Sequence, residues 1–326
     1  MDLELFKQRS EIIRHIRSFF YEKNYLELDT PALSPDLIPE SCLEVFETLK
    51  IHPNGSKVPL YLIPSPEIYM KKFIARNPVN VFQICRCFRN GESSGFMHNP
   101  EFTMLEYYTV NAGYTESLVL TEKLFFSLAE KGFSADLKLR EPFKLMSVND
   151  AFINFAGFDL FKAVAATGEL EKIARELGIE SQGLDKAVLY DLIFIHVIEP
   201  KLEQFGPLVL FDYPAFVPCL AKKNKDGETF QRWELYYKGI ELANCFSEET
   251  DPKAIHDFFA NEAKAREKTG RIKHKVDTDY WKMFEKNKGI PNFSGVALGL
   301  DRLIMTLCGF STIDSILPFP LADACL

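Results

Sequence analysis

The first part of the chain carries an apolar pattern that changes from helical to extended spacing. Ile12, Ile16 and Phe19 recur at intervals of four and three within residues 5–24, which predicts an amphipathic helix. Residues 25–31 then alternate apolar and polar side chains as far as Pro31, a pattern typical of an edge strand. The pattern therefore predicts a helix followed by a short strand.

Five further segments have the composition of strands, and helical patterns separate them. The predicted strands are residues 58–63, 79–88, 102–110, 208–213 and 232–242. The predicted helices are residues 66–75, 115–131 and 166–205, the last interrupted by glycines. Pro66 and Glu67 favour the start of a helix, because the first turn tolerates proline and its dipole attracts a carboxylate.

The remaining segments complete the predicted fold. Residues 251–268 are strongly charged and predict a helix with a solvated outer face, and residues 295–299 predict a strand that leads into helix 301–307. Strands outnumber parallel crossovers, which favours an antiparallel sheet flanked by helices and the α+β class. No repeat or linker divides the chain. We therefore expect a single domain over residues 1–326, with a helical insertion at about 140–206.

The composition narrows the class of protein. The 326 residues are 47% hydrophobic and carry a net charge of −8, which suits a large core and argues against a long nucleic acid as partner. The seven cysteines are scattered among apolar neighbours, which favours buried thiols in a reducing compartment. Cys85 and Cys87 have no second pair at zinc-ligand spacing. Because no signal peptide or long apolar run is present, we expect a cytoplasmic protein.

Two segments combine arginine, carboxylates and aromatic residues in a way that suits nucleotide chemistry. Arg89 follows the predicted strand 79–88, and the sequence HNPEFTMLE covers residues 98–106. Further along, GVALGLDR places Arg302 behind a glycine-spaced strand. These segments resemble motifs 2 and 3 of the class II aminoacyl-tRNA synthetases, and residues 5–31 resemble motif 1, which forms the dimer interface in that family. The lysine-specific branch fits best.

The resemblance implies that ATP binds at these motifs. Arg89 matches the arginine that bridges the substrate carboxylate and the α-phosphate, a task that suits a planar and permanently charged group. Phe102 matches the residue that stacks on adenine, and Arg302 matches the one that covers the other face of the base. The other implied ATP-binding residues are Glu92, His98, Asn99 and Glu241. Since adenylate formation needs positioning and charge neutralisation, Arg89 is the expected catalytic residue.

A pair of carboxylates is implied to hold Mg²⁺ against ATP. Glu234 and Glu241 match the metal ligands of the family, and Mg²⁺ commonly binds one or two carboxylates together with phosphates. The two residues are seven positions apart, so on a regular strand they would face opposite sides. A bulge or bend near Gly239 is therefore required to bring both to one ion.

The resemblance also implies a pocket for a diamino acid. Asn244, Phe246 and Glu248 alternate along a strand and so share one face, and the family pairs this glutamate with the distant ammonium of lysine. Further pocket positions match Glu67, Glu106 and Tyr108, with the two glutamates near the other amino group. Several carboxylates in one cavity repel each other unless cations fill it, which favours a diamino acid over a neutral one.

The layout of the chain points to one branch of the family. Lysyl-tRNA synthetases carry an N-terminal domain that reads the anticodon, and the predicted motif 1 helix leaves no room for it here. The chain resembles instead the paralogues that attach (R)-β-lysine to a lysine of elongation factor P. Ser65 and Ala297 stand where lysyl synthetases usually have alanine and glycine, and changes of this size shift substrate preference by about 1–3 kcal/mol. The implied enzyme is a homodimer for which tRNA is not an expected partner.

Two alternatives belong to other classes. One is a minimal enzyme that charges tRNA or another acceptor with a diamino acid, and the other is a catalytically inactive paralogue. The motif arginines and both metal-site glutamates are intact, which argues against the second. The loop of residues 91–97 is one residue longer than usual in the family, and Phe96 and Met97 stand where a basic residue is frequent. The sequence leaves open whether the amino acid is α- or β-lysine.

Overall fold

The computed structural model describes residues 3–91, 96–286 and 289–320, and its strands form two sheets. The strands are β1 (Leu26–Glu27), β2 (Leu33–Ser34), β3 (Phe46–Ile51), β4 (Lys57–Leu62), β5 (Val81–Phe88), β6 (Glu101–Val110), β7 (Lys144–Ser147), β8 (Leu208–Pro214), β9 (Thr229–Tyr237), β10 (Ile240–Ser247) and β11 (Phe293–Gly299). In the described part of the chain, the large sheet has the order β1-β5-β6-β11-β10-β9-β8-β7, and the small sheet has the order β2-β4-β3.

The large sheet is mostly antiparallel. Its six central strands, from β5 to β8, pair antiparallel with one another, whereas the outermost strands β1 and β7 pair parallel with β5 and β8. Antiparallel neighbours need only short connections, so strands that are close in sequence also lie side by side. The predicted α+β class, an antiparallel sheet flanked by helices, is confirmed.

The helices pack on the large sheet in three groups. They are α1 (Leu3–Glu22), α2 (Glu67–Arg76), α3 (Tyr114–Glu130), α4 (Val148–Ala156), α5 (Leu160–Ala165), α6 (Glu169–Glu176), α7 (Lys186–Ile193), α8 (Glu199–Leu202), α9 (Pro252–Thr269), α10 (Asp279–Lys286) and α11 (Leu300–Leu307). Helices α1, α3 and α11 share an apolar core with the central strands. Helices α4–α8 share a second core with β8 and β9, and α2, α9 and α10 form a third. The predicted insertion at about 140–206 thus contains α4–α8.

Glycines break the long helical pattern that the sequence predicts over residues 166–205. Helix α6 ends shortly before Gly178, and Gly183 lies between α6 and α7. Both glycines have positive φ angles, a left-handed conformation that interrupts a right-handed helix and that glycine adopts without steric cost. Residues Phe194–Ile198 then form a π-helical turn before α8. The predicted helices 5–24, 66–75, 115–131 and 251–268 are confirmed as α1, α2, α3 and α9.

One predicted strand is wrong in a way that matters for the site. Residues 232–242 were expected to form a single strand, but the chain reverses at Lys238 and Gly239, so this segment is shared between β9 and β10. Both turn residues have positive φ angles, 52° and 76°. Such a two-residue turn suits the twist of an antiparallel hairpin, and glycine lowers its cost. The sequence feature that indicates this turn is the Lys238-Gly239 pair within a segment that otherwise has the composition of a strand.

Two smaller differences come from exposed strands. The strand predicted over residues 25–31 is limited to β1, at the edge of the large sheet. Strand β3 lacks a predicted counterpart, since nearly all of its side chains are exposed and its pattern carries little burial signal. It forms the small sheet with β4, beside the loop of residues 40–44. That loop borders the cavity described below.

A buried ion pair joins the three motif-bearing elements α1, β6 and α11. Arg9 Nη2 of α1 lies 2.7 Å from Asp301 Oδ1 of α11, and both side chains are almost fully buried. The Thr103 amide of β6 donates to Asp301 Oδ2 at 2.6 Å, and Arg9 Nη2 donates to Thr103 Oγ1 at 3.1 Å. Asp301 therefore holds the strand that carries Phe102 against the helix that carries Arg302.

Candidate active site

A cavity of about 430 Å³ opens over one face of the large sheet. Most of the predicted site residues line it, and these are Glu67, Arg89, His98, Asn99, Phe102, Glu234, Glu241, Asn244, Phe246, Ala297 and Arg302. Four others, Ser65, Glu106, Tyr108 and Glu248, are not among its lining residues, and the last three are buried. Glu92 lies outside the described residues. The residues that the motifs predict are thus gathered into one region.

Strand register explains how distant residues reach one face. Directly paired residues of neighbouring strands point the same way. One row across β6, β11, β10 and β9 is Glu106, Ala297, Asn244 and Glu234. The adjacent row is Tyr108, Gly295, Phe246 and Arg232. The predicted common face is confirmed for Asn244 and Phe246, whereas Glu248 lies one residue beyond the end of β10. The cavity opens on the face of Asn244 and Phe246.

Gly295 lies where this face is most crowded. A Cβ atom added there would lie 2.3 Å from Tyr108 Cε1 and 2.6 Å from Glu248 Oε1. Both distances are far shorter than ordinary van der Waals contacts. Only glycine at this position leaves room for the Tyr108 ring and the Glu248 carboxylate together.

The residues that the resemblance assigns to ATP line the cavity and contact one another in two groups. The Arg89 guanidinium lies 5.2 Å from the centre of the Phe102 ring, a cation–π distance. Arg302 donates from Nη1 to the Glu241 carbonyl at 3.0 Å, from Nε to the Met97 carbonyl at 3.2 Å, and lies 2.8 Å from His98 Nε2 through Nη2. Arginine can only donate, so His98 Nε2 accepts this bond. Arg302 thereby ties the loop before β6 to the β9–β10 hairpin.

The hairpin brings the two predicted metal ligands to the same face. Glu234 pairs with Asn244, and Glu241 pairs with Tyr236, two residues along β9 from Glu234. The register shifts between Glu241 and Ala243, which marks a bulge in β10. Without it, Glu241 and Asn244 would point to opposite faces, since they are three positions apart. The bulge and turn that the sequence requires near Gly239 are therefore both present.

The two carboxylates have different surroundings. Glu234 is buried and accepts hydrogen bonds from Tyr213 at 2.6 Å, from Tyr236 at 2.7 Å and from Arg232. Glu241 is partly exposed in the cavity. Loss of hydration, followed by repulsion from Glu234, raises the pKa of Glu241 to about 7. Arg302 Nη1 lies 3.8 Å from Glu241 Oε2, and Arg232 pairs with Glu234, so each carboxylate has an arginine beside it within the chain.

Predicted pocket residues that do not line the cavity form a second hydrogen-bond network. Ser65 donates to Glu106 Oε2 at 2.6 Å, and Tyr108 donates to Oε1 of the same carboxylate. Burial and the nearby Glu67 carboxylate raise the pKa of Glu106 to about 8, despite these hydrogen bonds. Burial likewise raises the pKa of Glu248 to about 7. These carboxyl groups are poised to change charge near neutral pH.

The structure adds residues that the motifs did not predict. Lys71 is fully buried and lies 2.7 Å from Glu248 and 3.1 Å from Glu67, so Glu248 already has a cationic partner within the chain. Glu40 faces the cavity from the loop of residues 40–44, and burial and Glu67 raise its pKa to about 7. Arg232 also lines the cavity. The i, i+4 spacing of Glu67 and Lys71 on a predicted helix was a signal for one of these contacts.

Glu40 has no comparable signal, because only the tertiary fold carries its loop to the cavity. Arg266 of α9 donates from Nη1 to the Glu40 carbonyl at 2.9 Å and from Nη2 to Glu44 Oε1 at 2.8 Å. Glu262, also on α9, accepts from the Ser41 amide at 2.7 Å. The helix predicted as a solvated surface element therefore has a second, buried role in holding this loop.

None of the helices in the described ranges is long and apolar enough to cross a membrane. Nor do the residues that the structure describes include a cluster of three or more histidines, cysteines, aspartates or glutamates arranged for a metal ion.

Known proteins are similar to this sequence over almost its full length. The family described as tRNA synthetases class II (D, K and N) matches residues 3–323. Proteins named elongation factor P–(R)-β-lysine ligase are similar throughout: that of Vibrio cholerae serotype O1 is 36% identical over 325 residues, or 98% of this chain and 95% of the relative. Those of Vibrio atlanticus and Mannheimia succiniciproducens are 34% and 35% identical over 319 residues, covering 96% and 97% of this chain and 94% of each relative. The chain therefore belongs to the class II tRNA synthetases of the D, K and N type.

Proposed function

We propose that this protein is an ATP-dependent ligase that activates (R)-β-lysine as an adenylate and transfers it to the ε-amine of a lysine on elongation factor P. Relatives with this name align with the chain over more than nine tenths of both sequences, which supports the assignment. The observation that carries the proposal is the single cavity, where Arg89, Phe102 and Arg302 lie beside Glu67, Asn244 and Phe246. ATP and a diamino acid would thus meet in one place.

The first step is attack of the substrate carboxylate on the α-phosphorus of ATP, with pyrophosphate as the leaving group. Arg89 lines the cavity together with Glu67 and lies 5.2 Å from the centre of the Phe102 ring, and we propose that its guanidinium contacts both reacting groups. A fixed cation at this point lowers the repulsion between the two anions and stabilises the charge that develops on the phosphoryl oxygens. Phe102 and Arg302 would hold the adenine ring.

Mg²⁺ is the proposed cofactor, held by Glu241 and Glu234. The residues fit such an ion, because Mg²⁺ prefers carboxylate oxygens and Glu241 is partly exposed on the sheet face that it shares with Glu234. Glu234 accepts three hydrogen bonds, and a carboxylate offers about four acceptor positions, so one remains for a ligand. When bound, the ion would neutralise phosphate charge.

The second step transfers the acyl group to the protein acceptor. The lysine nitrogen of elongation factor P attacks the acyl carbon, the bond to AMP breaks, and the amine loses a proton. Glu40 faces the cavity beside Arg89 and Glu67, and its pKa of about 7 suits a group that takes this proton. The loop of residues 40–44 lines the cavity, and we expect the acceptor to enter beside it.

The test is the intact mass of elongation factor P after incubation with the enzyme, Mg·ATP and (R)-β-lysine. A single added β-lysyl group that requires ATP, and that is absent with the Arg89→Ala variant, is the expected result. Parallel reactions with α-lysine and with lysine tRNA show which amino acid and which acceptor are preferred. Charging of tRNA without modification of elongation factor P would refute the proposal.

We further propose that the protein acts as a cytoplasmic homodimer. The unit formed by α1, β1 and Pro31 is similar to the family's dimer-forming motif 1, and it exposes Tyr21 and Leu26 to 52% and 48%. Burial of such apolar side chains against a second copy is favourable. Light scattering is expected to give twice the mass of one chain. A monomer at the working concentration of the assay would exclude the dimer as the active form.

A further inference from the structure

A lysine is buried beneath the proposed amino-acid pocket. Lys71 lies in the middle of α2 and has no exposed surface. Its Nζ atom lies 2.7 Å from Glu248 Oε2 and 3.1 Å from Glu67 Oε2, and 5.9 Å from the centre of the Tyr108 ring. Burying an ammonium is costly unless it is paired, so its location is explained by these carboxylates. The same carboxylates are the ones that the motifs assign to the substrate.

The charges of this cluster can be counted. Glu67, Glu106 and Glu248 contribute three negative charges when all are ionised, and Lys71 contributes one positive charge, which leaves two negative charges. Arg89 also faces the cavity and would pair with the carboxylate of a bound amino acid, whereas Glu40 adds a further negative charge when it is ionised. A diamino acid whose carboxylate faces Arg89 brings two ammonium groups to the cluster. These two positive charges match the two negative charges that remain on Glu67, Glu106 and Glu248.

We propose that Lys71 is a positioning and specificity-determining residue: its ammonium holds Glu67 and Glu248 in place and cancels one of three negative charges, which leaves a pocket matched to two ammonium groups. This inference rests on the proposed function, because it concerns the amino acid that the enzyme activates. Lys71 does not touch the substrate in this account. It acts through the two carboxylates that it bridges.

The surrounding charges support this role. The Lys71 ammonium lowers the pKa values of Glu106 and Glu248, which burial raises, and therefore favours the ionised forms that bind ammonium groups. The titratable and charged groups around the cluster come from α2, β6, α10 and the segments between helices and strands. They are Glu40, Glu67, Lys71, Arg89, Glu106, Tyr108, Lys222, Glu248, Asp277 and Tyr280. In this set, Lys71 is the cation in direct contact with both Glu67 and Glu248.

The experiment compares Lys71→Met with Lys72→Met in ATP–pyrophosphate exchange. Lys72 is the next residue on the same helix and pairs with Asp277 outside the cavity, so it is a matched control. At pH 7.5, Lys71→Met is expected to raise KM for (R)-β-lysine by at least about tenfold, since each unit of pKa change corresponds to a factor of ten. KM for ATP is expected to stay within about twofold of wild type. Lys72→Met is expected to leave both values unchanged.

Two readouts distinguish this role from a purely structural one. The ratio of the variant's KM to the wild-type KM is expected to fall as the pH rises from 7 to 9, because the carboxylates that lost Lys71 ionise only at higher pH. Discrimination against 3-aminohexanoic acid, which lacks the distal amine of β-lysine, is expected to fall at least about fivefold. Lys71→Gln, which keeps a hydrogen-bond donor without the charge, is expected to behave like Lys71→Met.

The outcomes separate this inference from the proposed function. Absence of exchange with any diamino acid in the wild-type enzyme would refute the proposed function itself. An active wild type with an unchanged amino-acid KM in Lys71→Met would overturn the inference alone. A KM ratio that does not vary with pH, or failure of both Lys71 variants to fold, would assign Lys71 to the structural core and would also overturn it.

Discussion

Replacement of Arg9 by methionine is expected to destabilise the protein by about 3 kcal/mol. Removal of one partner of a buried ion pair typically costs about 3–5 kcal/mol, because the other charge stays buried without a partner. The lower value of this range applies to Arg9, because its contacts with Asp301 are incomplete. Arg9 Nη2 is 2.7 Å from Asp301 Oδ1, but the angles do not make a hydrogen bond, and Nη1 has no partner among the described residues. Asp301 also keeps the amide of Thr103 at 2.6 Å.

The assay is thermal unfolding followed by circular dichroism. In a chain of about 150–250 residues, each kcal/mol of lost stability lowers Tm by about 2–4 °C. The apparent Tm of Arg9→Met is therefore expected to fall by about 6–12 °C, or slightly less because this chain is longer. Arg14→Met on the same helix is the control, because Arg14 pairs with Glu11 at 3.5 Å on an exposed surface and such pairs contribute roughly 0–1 kcal/mol.

The ion pair also makes a prediction about function. Asp301 lines the cavity and holds the strand of Phe102, so KM for ATP is expected to rise in Arg9→Met but not in Arg14→Met. The double variant Arg9→Met with Asp301→Asn is expected to regain part of the lost stability, since it removes the unpaired charge. Equal Tm values for Arg9→Met and Arg14→Met would refute the reasoning, because they would show that the Asp301 charge needs no cation.

Three further predictions concern the cavity. Arg89→Ala is expected to abolish ATP–pyrophosphate exchange, and retention of activity within tenfold would contradict its assigned role. Gly295→Ala is expected to raise KM for the amino acid at least about tenfold because its Cβ would lie 2.3 Å from a ring atom, whereas Gly299→Ala on the same strand meets its nearest atom at 3.7 Å and is expected to be tolerated. Burial raises the pKa values of Glu106 and Glu248 to about 8 and about 7. Above pH 4.5 the folded protein therefore binds more protons than the unfolded chain. The free energy of unfolding of the unliganded protein is expected to decrease as the pH rises toward 8. Over the same pH range, KM for β-lysine is expected to decrease. Thermal unfolding measures the stability and ATP–pyrophosphate exchange measures KM, each from pH 5 to 8. A stability that increases or a KM that increases with pH would contradict these protonation states.

Local patterns were sufficient for much of the fold. Helices such as α1 and α9 and strands such as β5 and β6 follow from apolar spacing, since each is long enough for its period to be recognised. The β9–β10 hairpin was predicted as a single strand, because its two-residue turn interrupts the pattern so briefly. Strand β3 was not predicted, because exposed side chains leave little periodic signal.

By itself, the sequence determined the family, the fold class and the residues to which we assign the chemistry, because motif residues such as Arg89 and Arg302 are recognised from their immediate neighbours. The tertiary structure alone decided how these residues meet. The hairpin and bulge place Glu241 on the face of Glu234, and the tertiary fold brings Lys71 of α2 to Glu248, the residue that follows β10. Such contacts depend on register and on pairing between segments far apart in the chain, which no local pattern specifies.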